Sequence, residues 1–201
     1  MTNRFLAARD LAQIAIFAAL IAALGLPGAL TIGAIAVPIT FQTLGVMLAG
    51  TVLGARKGFF AVLLFLALTL AGLPLLSGGR GGLVYFTTSP SAGYLYGWLL
   101  GVVVIGYLTA RLLPKYPFWP ALAATVLGGI VVVYLIGVPV TAMNLGISVW
   151  TSLAGSAVFL PGDLLKVVVT VLVARQVHKA YPGLIPARRR AVMDAIPVSV
   201  E

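Results

Sequence analysis

Apolar residues run in blocks of about twenty along this chain, separated by short polar or glycine- and proline-rich connections. A helix crossing the hydrocarbon core of a bilayer needs about 20 predominantly apolar residues. That length picks out six spans, near residues 11–26, 39–53, 58–76, 92–113, 118–137 and 160–175. The second is short and follows Pro38, which predicts an irregular start. Pro74, Pro90, Pro114, Pro117 and Pro139 are expected to punctuate the connections, because proline lacks the N–H that a helix interior needs. Residues 30–40 alternate small and β-branched side chains, a pattern that suits a short hairpin or extended cap. Residues 78–82 set four glycines around Arg80, which permits a tight turn or close backbone approach, or simply a flexible exposed loop.

The segment 140–159 is long and apolar enough to span, yet it carries Thr141, Asn144, Ser148, Thr151, Ser152 and Ser156. Charge decides how it is read. Arg4 and Arg9 precede the first span, Arg56 and Lys57 separate the second and third, Arg111 and Lys115 separate the fourth and fifth, and Arg175, Lys179 and Arg188 to Arg190 follow the last. With six spans, all of these fall on one side, which the positive-inside rule makes cytoplasmic, and the other connections hold only Arg80. A seventh span would put the basic tail outside. Residues 140–159 are therefore expected to form an interfacial or re-entrant layer, and residues 176–201 a basic cytoplasmic tail. The fold class is all-α: one polytopic membrane domain with both termini cytoplasmic and outer loops capping a pocket.

Composition agrees. The 201 residues are 61% hydrophobic and 8% charged, with mean hydropathy +1.13, whereas soluble domains carry about 25% charged residues. The net charge of +9 does not mark nucleic-acid binding, since no aromatic residues interleave with the basic ones as a base-stacking surface requires. Without cysteine there are no disulfides or thiolate metal sites, and His178, among Arg175 and Lys179, is expected to be a solvated or headgroup residue. No phosphate-binding GxxxxGK[ST] loop, HExxH or GxSxG motif is present, so an ATPase, metalloprotease or serine hydrolase is not expected. No catalytic residue, metal ligand or cofactor is assigned.

The candidate chemistry lies in the last span. Asp163 follows Pro161-Gly162, which places it in the first turn of a helix, where the positive end of the helix dipole favours a carboxylate. Lys166, three residues on, shares its face. A charge at membrane depth costs roughly 2.5–3.5 kcal/mol. The pair is either a self-neutralising ion pair or a ligand site. As a site, it suits a ligand that presents N–H and C=O groups side by side. Arg80 is either a carboxylate reader or a headgroup anchor. Gln42 and Asn144 are weaker ligand candidates that also suit helix ends. Tyr94, Trp98 and Trp150 either stack on a ring system or join an interfacial belt, the belt being favoured for Trp98 and Trp150. Ala8, Ala12, Ala15, Ala19 and Ala22 form a small-residue ladder on the first span. It serves either packing within the bundle or docking of a partner helix.

Six motifs in order carry a resemblance: 37-VPITFQTLG-45, Gly54-Ala55-Arg56-Lys57-Gly58, Gly72-Leu73-Pro74, the glycine-rich loop ending at Gly82, Ser89-Pro90-Ser91-Ala92-Gly93-Tyr94-Leu95 in place of GPTGGYL, and Pro161-Gly162-Asp163-Leu164-Leu165-Lys166. Together they resemble the BioY family, the biotin-specific substrate-binding subunits of energy-coupling-factor vitamin transporters. The resemblance implies a six-helix S component in the bacterial cytoplasmic membrane that binds biotin from outside. It also implies work with a transmembrane coupling protein and a pair of ABC-type ATPases. It makes the Ala15–Ala19–Ala22 face the docking surface for the coupling protein. For biotin, Asp163 would accept from a ureido N–H and Lys166 would donate to the ureido carbonyl. Arg80, or backbone N–H groups of the loop that includes Gly82, would face the carboxylate, and Tyr94 and Trp150 would pack the rings. An S component for another vitamin, or a stand-alone carrier, are the alternatives.

Overall fold

In the computed structural model of the chain, residues 7–28, 30–31 and 37–185 are described. The first helix, α1 (Ala8–Ala23), leads to a two-stranded antiparallel hairpin of β1 (Leu30–Thr31) and β2 (Pro38–Ile39), with Leu30 opposite Ile39 and Thr31 opposite Pro38. The hairpin expected between the first two spans is therefore present, and it takes Pro38 and Ile39 out of the second helix. That helix, α2, begins at Gln42, runs to Leu48 and continues as a π-helical stretch, Ala49–Leu53.

The chain then reverses on a single residue. Gly54 sits at φ +80° and ψ 179°, a conformation that a Cβ disfavours. Helix α3 (Gly54–Leu70) begins there, so Arg56 and Lys57 lie in its first turns and not in a separate loop. Next come the short α4 (Val84–Thr87) and the long α5 (Ala92–Leu112).

The helix expected as the fifth span is longer than the sequence pattern implies. Helix α6 (Phe118–Val126) passes through a π-helical stretch, Leu127–Val132, into α7 (Val133–Leu145), which contains Pro139. Pro139 is thus inside a helix, contrary to the expectation that it ends one. Membrane helices tolerate proline where neighbouring groups re-satisfy the freed backbone. Residues 140–145 accordingly belong to this helix and not to an interfacial layer. The helix ends at Gly146 in the left-handed conformation. The interfacial element shrinks to α8 (Val149–Ser156) and one 3-10 turn, Ala157–Phe159. Helix α9 (Leu160–Ala180) follows directly, so residues 176–180 are its last turn and not tail. Residues 186–201, which hold Arg188 to Arg190, lie outside the described residues.

Among the described residues, four helical stretches are long and apolar enough to cross a membrane: Gln42–Leu70, Ala92–Leu112, Phe118–Leu145 and Val149–Ala180. The first of these contains the Gly54 reversal. Large apolar side chains such as Leu64, Leu100, Leu135, Leu165 and Leu172 point outward. A water-soluble protein rarely shows apolar surface on this scale, whereas lipid accepts it.

Helix α5 lies at the centre, because its glycines let neighbours touch its backbone. A Cβ on Gly97 would stand 2.9 Å from the Val133 backbone, and one on Gly101 would stand 2.5 Å from the Gly128 carbonyl oxygen. Gly93, Gly97 and Gly101 recur every four residues and so form one small-residue face against α6–α7. One apolar core, including Phe65, Trp98, Tyr94, Val102 and Val133, lies toward the hairpin end. Another, including Ile14, Leu53, Tyr116 and Val171, lies toward the Gly54 end. His178 belongs with the second. It is buried, its Nε2 is 2.9 Å from the Thr51 carbonyl oxygen, and its ring is 5.1 Å from that of Tyr116. The expected solvated histidine is instead a packed one, because α9 stays helical to Ala180 and carries it over α2.

Candidate functional site

Five elements converge on a narrow cavity beneath the hairpin: α2, the 76–82 loop, α5, α7 and the junction of α8 with α9. It encloses about 70 Å³ and is lined by Arg80, Tyr94, Trp98, Tyr134, Asp163 and Lys166 among others. Pro161 lies in the first turn of α9, and the helix turns Asp163 and Lys166 inward together. Both are buried, at 6% and 8% exposure, and Lys166 Nζ donates to Asp163 Oδ1 at 2.8 Å. From α7, the Tyr134 hydroxyl donates to the other carboxylate oxygen at 2.7 Å.

These partners leave capacity. A carboxylate offers about four lone-pair positions and an ammonium three donors. The ion pair and the phenol use two of the former and one of the latter. Acceptor and donor positions therefore remain on adjacent side chains, both on the cavity wall. A buried ion pair is weak evidence for stability in itself.

Aromatic rings form the rest of the wall. Tyr94 meets Tyr134 edge-to-face at 5.8 Å and Phe159 at 6.4 Å. The Tyr94 hydroxyl is 2.8 Å from Ser156 Oγ. Ser156 Oγ in turn donates to the Ser152 carbonyl at 2.8 Å, and Ser152 Oγ donates to the Val138 carbonyl at 2.9 Å. The serines that looked like an interfacial polar layer thus stitch α8 to α5 and α7. Trp98, expected in a membrane belt, is buried against Phe65 at 6.3 Å and lines the cavity.

Arg80 lines the cavity on the loop side. Its Nε donates to the Ser77 carbonyl at 2.7 Å, and its guanidinium lies 5.6 Å from the Tyr85 ring centre. Paired backbone bonds between Leu76 and Arg80 close the loop. Gln42 also reaches the wall, but its amide is committed elsewhere. Its Nε2 donates to the carbonyls of Ile21 at 3.3 Å and Leu75 at 2.9 Å, and its Oε1 accepts from the Ser77 N–H at 3.1 Å. Gln42 is a clamp joining α1 to the loop that carries Arg80, and not a free donor.

Three candidates are not brought to this cavity. Asn144 donates to the carbonyls of Thr87 at 3.0 Å and Ser89 at 2.8 Å, which ties the end of α7 to the loop before α5. Gly82, at φ +91°, uses its N–H on the Thr69 carbonyl at 2.8 Å. Trp150 is 79% exposed on α8 and is not on the cavity wall. Tyr134 was the main residue missed; its signal was a phenol inside the apolar run that the structure extends to Leu145. On α1, Ala8, Ala12, Ala15 and Ala19 are exposed and Ala22 is half-buried, while Ile14, Ala18 and Ile21 pack inward. The ladder therefore faces away from the bundle.

Apolar helices around a central α5, with a cavity near the hairpin end walled by aromatic rings and one buried ion pair, define a multi-pass membrane protein. The family model of the BioY family matches residues 1–183. The biotin transporter BioY of Rhizobium etli is 48% identical over 188 residues, covering 90% of this chain and 98% of that protein. The Rhodobacter capsulatus biotin transporter BioY is 46% identical over 192 residues, with 90% and 98% covered. Among solved structures, the S-component for biotin from an ECF-type ABC transporter superposes with a TM-score of 0.82 at 36% identity, covering 89% of this chain and 95% of the other. The chain belongs to the BioY family.

Proposed function

We propose that this chain binds biotin and serves its uptake as the S component of an energy-coupling-factor transporter. The observation that carries the reading is the buried Asp163–Lys166 pair on the cavity wall, with acceptor and donor positions remaining side by side. Biotin's cyclic urea presents an N–H next to a C=O. Asp163 accepts from the N–H and Lys166 donates to the carbonyl. Tyr94, Tyr134 and Trp98 offer flat apolar surface to the fused rings. Arg80, on the loop side, matches the distant carboxylate, since a guanidinium fork fits a carboxylate.

Ordinary small-molecule sites measure about 300–1,000 Å³, against the 70 Å³ enclosed here. The cavity must therefore widen when the bicyclic ring system enters. In this reading the chain crosses a bacterial cytoplasmic membrane six times, the Gly54 reversal separating the second and third spans, with both termini inside and the cap outside. The outward Ala15–Ala19–Ala22 face meets the coupling protein, and partner ATPases supply the energy, since this sequence has no phosphate-binding loop of its own. Equilibrium binding of biotin to the purified chain and to Asp163→Asn and Lys166→Ala variants tests the assignment. Unchanged affinity in both variants sinks it.

A further inference from the structure

The Asp163 carboxylate is held at both oxygens, and from two helices. Lys166, on its own helix, donates to Oδ1 at 2.8 Å, and Tyr134 on α7 donates to Oδ2 at 2.7 Å. The two contacts are not equivalent. The bond that orients a carboxylate, between Cβ and Cγ, is a soft torsion. A carboxylate held only by an ammonium three residues along can turn to present both oxygens to it. The pair would then spend on itself the positions that a ligand needs. The phenol opposes this, because it fixes the second oxygen from another helix.

The phenol is itself aimed. Tyr134 is the second residue after the π-helical stretch Leu127–Val132. A π turn holds one residue more than an α turn, so it rotates the residues beyond it by about 100°. In a register one residue away, Val133 or Leu135 would face Asp163, and neither can donate. A Cβ on Gly128 would stand 2.5 Å from Ile105 Cγ1 on α5, and one on Gly129 would stand 2.6 Å from Met47 Cε on α2. The wide turn is thus seated against two other helices. Beyond Tyr134, Gly137 leaves room for the Tyr94 ring, which a Cβ there would meet at 2.6 Å. Tyr94 packs edge-on against Tyr134 at 5.8 Å, and its hydroxyl is anchored 2.8 Å from Ser156 Oγ.

We propose that Tyr134 is a positioning residue for ligand selection: its hydroxyl holds the Asp163 carboxylate apart from Lys166, so that Asp163 reads a ligand N–H instead of closing on the ammonium. The inference rests on the proposed biotin site and adds the residue that keeps the ion pair available to the ligand. Selectivity is where the role shows. A fixed carboxylate distinguishes a ureido N–H from the same nitrogen carrying a methyl group, whereas a carboxylate turned onto Lys166 does not.

The test titrates biotin, and biotin methylated on one or the other ureido nitrogen, into the detergent-purified full chain. Wild type, Tyr134→Phe, Asp163→Asn and the double variant are compared. The wild type is expected to prefer biotin over at least one methylated form. Tyr134→Phe is expected to weaken biotin binding roughly tenfold and to shrink that preference by a similar factor, since the methylated form has no N–H to lose. In the Asp163→Asn background the same substitution is expected to change biotin affinity by less than about threefold, because the two side chains act as one unit. Weakened binding in Asp163→Asn beside wild-type affinity and preference in Tyr134→Phe overturns the positioning role alone. So does an equal loss for biotin and both methylated forms, the mark of ring packing, or an undiminished loss in the Asp163→Asn background. A wild type that does not bind biotin, or that shows no preference over either methylated form, overturns the site and this role with it. Where Tyr134→Phe does not fold, para-aminophenylalanine and para-methylphenylalanine in place of Tyr134 decide. Both fill the volume of the hydroxyl and only the first donates. The amine must keep the preference and the methyl group must lose it, and equal preferences overturn the role.

Discussion

Lys166→Met removes the ammonium and keeps most of the apolar stem. Asp163 would remain at 6% exposure with only the Tyr134 hydroxyl as partner. Breaking a buried ion pair from one side costs about 3–5 kcal/mol of stability, because a charge is left uncompensated. Biotin affinity falls for a separate reason. The ureido carbonyl loses a charged donor, worth about 1.5–3 kcal/mol, which is about 10- to 150-fold in Kd. A loss of folding alone would mimic the second effect, so the pair is best replaced together. With Asp163→Leu and Lys166→Met combined, the desolvation penalty disappears along with the attraction, and exchange of a buried pair for apolar groups is often neutral or stabilising. The expected result is a thermal midpoint near wild type with biotin binding abolished, read by calorimetric titration and thermal unfolding of detergent-purified protein. Wild-type affinity in both variants refutes the ligand role of the pair. A collapsed midpoint in the double variant refutes the argument that the pair is retained for binding rather than for folding.

Three further outcomes are expected. Gly101→Ala places a Cβ 2.5 Å from the Gly128 carbonyl oxygen, so α5 and the π-helical stretch must separate, at about 1–3 kcal/mol; the thermal midpoint checks this. Gln42→Ala leaves the Ser77 N–H and two carbonyls without their amide. It should lower the unfolding free energy by about 1–3 kcal/mol and loosen the Arg80 loop, seen as a lower thermal midpoint and faster hydrogen exchange at residues 76–80. Trp150→Ala, on an exposed α8 position, should leave biotin affinity unchanged in the same titration that detects Lys166→Met.

Much of this architecture was legible because lipid demands long apolar blocks and sharp breaks between them. The hairpin before α2 and the inward turn of Asp163 with Lys166 both followed from local pattern. The spans ending at 53 and beginning at 58 imply a short connection, whereas one glycine at positive φ, Gly54, makes the reversal. What failed depended on neighbours. Pro139 looks like a stop, yet α7 carries it inside a packed helix. Trp98 and Trp150 are the same residue type near span ends, but the partner ring of Phe65 draws one inward while α8 leaves the other exposed. Gln42 reads as a ligand donor until three backbone partners from two other segments claim it. The glycines at 93, 97 and 101 carried a spacing signal for close helix approach that sequence reasoning passed over.

The central claim is that the cavity walled by Asp163, Lys166, Tyr134 and Tyr94 is a biotin site. Equilibrium titration of the purified wild-type chain with biotin, beside a panel of other vitamins, tests it most directly. Saturable binding of biotin at one site per chain, blocked by no other vitamin in the panel and lost in the Asp163→Leu/Lys166→Met variant, is the predicted result. Preferential binding of a different vitamin, or biotin binding that survives the double substitution, contradicts it.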